Sequence, residues 1–133
     1  MLPRSSAYFS TSVRGFLGLS TEHVLGSLTA ANQGALDVAQ RQAWEDEIAI
    51  LGTSLVGIDG QLYFEFNIPR LGSRVDVVIV AGSAVIPVEF KCGENQFRTN
   101  DLYQAWDYGL DLKNFHAGSH NAAIFFLLVP TNA

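Results

Sequence analysis

The sequence predicts a mixed α/β domain whose core runs helix, strand, strand, strand, helix, strand, with an extra helix before it. Three observations carry that expectation. Two runs rich in β-branched residues, 74–80 and 85–91, are separated by Ala81-Gly82-Ser83-Ala84. Upstream, residues 36–51 place apolar side chains at helical spacing. Downstream, an amphipathic stretch over 101–114 leads to a continuous apolar run at 122–129. That run is short and rich in β-formers, as befits a strand buried on both faces.

In chain order, residues 1–19 hold Arg4, Arg14 and several serines but no acid. The composition mimics an organellar targeting peptide. Tyr8, Phe9, Phe16 and Leu17 are good core anchors, however, so a structured start to the domain is expected. Ser20 or Thr21 can cap a short helix over 22–31.

The longer helix, 36–51, carries Leu36, Ala39, Ala43, Ile50 and Leu51 on one stripe. Glu47 falls within that stripe, and Glu45 points almost the opposite way. A charged group inside a buried stripe needs a partner. Either Glu47 pairs with Arg70 or Arg74, or it joins an acidic cluster. Residues 61–66 alternate as a strand, with Leu62, Phe64 and Phe66 on one side and Tyr63 and Glu65 on the other. Glu65 is therefore a rival to Glu47 for that cluster. A turn over 67–73 follows, flanked by Arg70 and Arg74.

Gly82-Ser83 suits a two-residue hairpin turn with glycine first. It sets Ala81 opposite Ala84, Val80 opposite Val85, Asp76 opposite Glu89 and Arg74 opposite Lys91. Arg74, Asp76, Glu89 and Lys91 then share one face, and Val75, Val77, Ile79, Val88 and Phe90 the other. Two carboxylates opposite each other repel, by about 0.2–1 kcal/mol on an exposed sheet. A hard cation between them relieves that repulsion, and Mg²⁺ takes oxygen ligands while keeping waters.

After Lys91 comes a polar loop over 92–100. The helix over 101–114 turns Leu102, Ala105, Trp106, Gly109 and Leu112 inward, and puts Gln104 and Tyr108 on a different face. His116 and His120 suit the capping of helix carbonyls. The helix is a crossover that makes the strands before and after it parallel.

Composition bounds the rest. At 133 residues the chain is expected to form one domain, a helical extension over 1–34 and a core over 35–131. No apolar run approaches a membrane span. The single cysteine, Cys92, fits a reducing, cytoplasmic compartment. The net charge of −5 is unusual for a nucleic-acid binder, though Arg70, Arg74, Lys91, Arg98 and Lys113 gather in the later half.

Asp76, then Glu89-Phe90-Lys91, then Gln104-x-x-x-Tyr108 on the following helix resembles the RecB-like branch of the PD-(D/E)XK nuclease superfamily. Val75 stands where many members have proline. The phrases Phe-Glu-Phe-x-Ile-Pro-Arg, Val-Glu-Phe-Lys and Gln-x-Trp-Asp-Tyr resemble the nuclease-like N-terminal domain of certain prokaryotic ATPase/helicase proteins of uncertain function. The resemblance covers residues 40–131. It implies a restriction-endonuclease-like αβββαβ core and a Mg²⁺- or Mn²⁺-dependent nuclease acting on nucleic acid, with DNA favoured. Asp76, Glu89, Glu47 and the Phe90 carbonyl would hold the metal. Lys91, Gln104 and Tyr108 would be catalytic, and Arg70, Arg74 and Arg98 would meet the nucleic acid. It also implies a piece of a longer chain with an ATPase/helicase motor, since these residues hold no P-loop motif. A homodimer is compatible with it. The alternative function is a non-catalytic nucleic-acid or protein-binding module of the same fold.

Overall fold

Short side chains start each helix among the described residues. The Ser12 hydroxyl accepts the Gly15 N–H at 2.9 Å, the Ser20 hydroxyl accepts the His23 N–H at 3.1 Å, and the Asp37 carboxylate accepts the Ala39 N–H at 3.0 Å. The computed structural model describes residues 6–32, 34–68, 73–92, 123–124 and 127–131, with side chains over 6–32, 34–67 and 74–90. The elements are β1 (Phe9–Ser12), α1 (Val13–Leu17), α2 (Thr21–Ala31), α3 (Val38–Ser54), β2 (Gln61–Ile68), β3 (Ser73–Ala81), β4 (Ala84–Cys92), β5 (Ala123–Ile124) and β6 (Leu127–Thr131).

Strands β1 to β4 lie side by side in sequence order, each antiparallel to the next. Both β5 and β6 pair with β4 in parallel, the direction expected of a crossover between them. The expected helix over 101–114 lies outside the described residues. The hairpin turn is as read from the sequence: Ala81 pairs with Ala84, and Gly82 takes φ +60°, a left-handed conformation that glycine adopts without steric cost.

Three features differ from expectation. Residues 9–12 form a strand that pairs with β2, so the N-terminal stretch contributes to the sheet as well as two helices. Phe16 is buried there, but Leu17 is 39% exposed. In α3 the buried stripe is Trp44, Glu47, Ile48 and Leu51. Trp44 and Ile48 thus replace Leu36, Ala39 and Ala43 as its anchors, because the helix faces the sheet about one residue further round.

The core divides in two. Leu62, Phe64, Val77, Ile79, Val88 and Phe90 pack with Val13, Phe16, Leu28, Trp44 and Leu51 of the helices. Tyr63, Phe66, Val75, Val78 and Val85 form a second cluster. Strict alternation would keep Phe66 with Phe64, and Val75 with Val77. Instead both strands change sides at the same level. The change falls between Phe64 and Phe66 on β2, and between Val75 and Val77 on β3. Glu65 and Asp76 are the residues at that crossing.

Candidate functional site at the fork between β3 and β4

The β3–β4 pairing runs from Ala81–Ala84 to Val77–Val88 and goes no further. Beyond that level β3 stays with β2, through Val75–Phe66, Arg74–Asn67 and Ser73–Ile68. The rest of β4 stays with β6, through Glu89–Leu128, Phe90–Val129 and Lys91–Pro130. The sheet forks, and Asp76 and Glu89 stand on the two sides of the opening.

Their side chains take over where the ladder stops. The Phe90 N–H donates to Asp76 Oδ2 at 2.8 Å, and the Asp76 N–H donates to Glu89 Oε2 at a longer 3.4 Å. Each carboxylate thus accepts from the opposite strand. A strand residue turns its N–H and C=O to the same side, so the Phe90 carbonyl also opens into the fork. Glu89 is 7% exposed. A carboxylate that buried is tolerable only with donors or a cation nearby.

The rung between Glu65 and Asp76 is missing from an otherwise continuous β2–β3 register. Glu65 has φ 53°, the one positive φ at a non-glycine position among the described residues. A left-handed conformation there costs about 1–2 kcal/mol. It accounts for the lost rung and for the side-switch of Phe66. It also leaves the Asp76 N–H to Glu89 instead of to β2.

Glu65 ends near Trp44 of α3, on the helix-covered side, away from Tyr63. Burial, with Asp76 beside it, pushes its carboxyl up from 4.5 to about 7; the Trp44 side chain and the Arg74 guanidinium pull the other way. The Trp44 indole N–H is buried without a hydrogen bond of normal geometry, although it lies near enough to Glu65 to favour the charged form. Glu47, one helical turn beyond Trp44, is 3% exposed, so the helical glutamate faces inward as its position in the stripe requires. Glu45 and Asp46 are satisfied locally, by Arg41 at 3.5 Å and Gln42 at 3.1 Å.

Lys91 occupies the β4 position two residues past Glu89; its side chain lies outside the described residues. So do Arg70, Arg98, Gln104 and Tyr108. Arg74 is exposed, with its guanidinium carbon 4.6 Å over the Tyr8 ring. Tyr8 in turn meets Trp44 edge-on, with ring centroids 6.4 Å apart. Neither aromatic was anticipated at the site. Trp44 was detectable, since it lies three residues before Glu47 and so shares its helix face; Tyr8 had no such signal.

Among the described residues, no group of three or more His, Cys, Asp and Glu is assembled to hold a metal ion. The donor chemistry nevertheless suits a hard cation. The Asp76 and Glu89 carboxylates stand at the fork, with Glu65 close enough to Asp76 to feel its charge, and all are oxygen donors of the kind Mg²⁺ and Mn²⁺ take. No helix among the described residues is long and apolar enough to cross a membrane. No protein family, curated protein or solved structure matches the chain.

Proposed function

We propose that the chain is a PD-(D/E)XK-type nuclease domain of restriction-endonuclease-like fold, dependent on Mg²⁺ or Mn²⁺ and hydrolysing phosphodiester bonds of nucleic acid, with DNA favoured. One observation carries the reading. The sheet parts at Asp76 and Glu89, whose carboxylates accept from each other's strands, and Lys91 follows on the same strand. The helix-then-three-strand order of α3, β2, β3 and β4, with a parallel strand beside β4, supports the fold assignment.

Asp76, Glu89 and the Phe90 carbonyl would hold the ion, with Glu47 binding it directly or through water. When bound, such an ion lowers the pKa of a coordinated water and stabilises charge on the attacked phosphate. Lys91 orients the attacking water, helps to take its proton, and counters phosphate charge. Gln104 positions Lys91 or the water, and Tyr108 hydrogen-bonds a phosphate oxygen or a ligand carboxylate.

The test is Lys91→Ala, assayed for Mg²⁺- and Mn²⁺-dependent cleavage of single- and double-stranded substrates. Loss of activity by at least about 10²-fold with an unchanged melting temperature is expected. Full activity in that variant would dispose of the mechanism. The net charge of −5 favours a second reading, a non-catalytic binding module of the same fold. That reading predicts no cleavage by the unaltered protein and no stabilisation by Mn²⁺.

A further inference from the structure

Of the four large apolar side chains exposed among the described residues, three gather at one place: Leu17 at the end of α1, and Val56 and Ile58 in the turn after α3, which are 70% and 44% exposed. That turn is pinned. The Ile58 N–H donates to the Leu55 carbonyl at 3.0 Å, the Gly60 carbonyl accepts the Val13 N–H at 2.9 Å, and Gly57 takes φ +84°.

Ile58 lines two neighbouring depressions. One is an open hollow of about 290 Å³ walled by Ile50, Leu55, Ile79, Ile86 and Val88, with Ser54 the one polar residue of its lining. The other is a groove lined by Leu17, Gly57, Arg14 and Asp59. Arg14 and Asp59 are both exposed, and among the described residues neither forms an ion pair. The surface thus carries, side by side, an apolar projection, an apolar hollow and one charge of each sign. A two-fold interface needs such a surface, because the same patch must serve as both partners. A partner of single-signed charge, nucleic acid included, would meet only one of the two charges favourably.

We infer that this face is a two-fold interface with a second copy of the chain, in which Val56 and Ile58 of each copy enter the hollow of the other and Arg14 pairs with Asp59 reciprocally across the axis. A turn fixed in advance loses little freedom on pairing, which favours that use. Pairing through this face is independent of any cleavage at the fork.

Sedimentation equilibrium from low micromolar to near-millimolar concentration should show a reversible equilibrium between monomer and dimer. Val56→Asp and Ile58→Asp should each raise the dissociation constant at least about tenfold. Arg14→Glu and Asp59→Arg each set like charges against each other across the axis, so each alone should weaken the dimer. The double variant Arg14→Glu/Asp59→Arg rebuilds both pairs with the signs exchanged, and should bring the dissociation constant back to within about threefold of the unaltered protein. All four positions are exposed, so melting temperatures measured on the monomer should change little, which separates lost association from lost folding. A protein that stays monomeric throughout overturns the inference. So does a dimer indifferent to Val56→Asp and Ile58→Asp, which would use another face, and so does a double variant no tighter than the single ones.

Discussion

Glu65→Gln tests the electrostatics of the fork directly. In the folded protein the carboxyl titrates at about 7 against 4.5 when unperturbed. A carboxyl raised in the folded state binds its proton more tightly there than in the unfolded chain. Its contribution to stability is therefore fully present below the unfolded value and is lost as pH rises through about 7. The full shift corresponds to about 3 kcal/mol. Glu65 is only partly buried, so solvent screening brings this to about 1–2 kcal/mol. The domain should be more stable at pH 5.5 than at pH 8, by several degrees of melting temperature. Glutamine keeps the shape and removes the charge. Glu65→Gln should raise the melting temperature at pH 8, change it little at pH 5.5, and flatten the profile between. Thermal melts of both proteins across that range decide the matter. Parallel profiles for the two proteins would refute the reasoning, because the pH dependence would then belong to other groups.

Other perturbations address the metal, the packing and the caps. Mn²⁺ should raise the melting temperature of the unaltered protein, as any ligand of the native state does, and Asp76→Asn should abolish the rise; an equal rise in both would remove Asp76 from the ligand set. A Cβ at Gly60 would collide with the Val80 carbonyl oxygen. Gly60→Ala should therefore destabilise by about 1–3 kcal/mol in urea titrations, and an unchanged midpoint would contradict that close approach. Asp37→Ala removes the cap of α3 and should cost about 1 kcal/mol by the same measurement. Little or no loss would show that the cap contributes nothing to the helix.

Much of this architecture could be read from local patterns. The hairpin register followed from Gly82-Ser83, since a two-residue turn leaves one way to pair the strands. The inward facing of Glu47 followed from helical periodicity. What could not be read was the level at which the strands stop behaving as strands. Alternation places Glu65 beside Tyr63 and Phe66 beside Phe64; the left-handed φ at Glu65 reverses both. No propensity assigns a left-handed conformation to a glutamate in the middle of a strand. Strand β1 escaped notice for a related reason. Phe9–Ser12 is a four-residue edge strand rich in hydroxyl side chains, and its pairing is decided by β2 rather than by its own composition.

The irregularities at the fork are costly one by one, and they coincide. Glu65 is strained, it has lost its rung to Asp76, its carboxyl resists ionisation, and Asp76 and Glu89 meet at the same level of the sheet. A fold selected for stability alone has cheap remedies, such as threonine or valine at Glu65, which would restore both the strand conformation and the rung. Strain persists where the surrounding structure over-determines it, and such places gather at functional sites. The geometry also shows what the strain achieves. By turning β2 away from Asp76 it frees the Asp76 N–H to hold the Glu89 carboxylate. Each of the two acids then accepts a backbone donor from the opposite strand. The distortion at Glu65 and the meeting of Asp76 and Glu89 across the fork are thus two consequences of one backbone event.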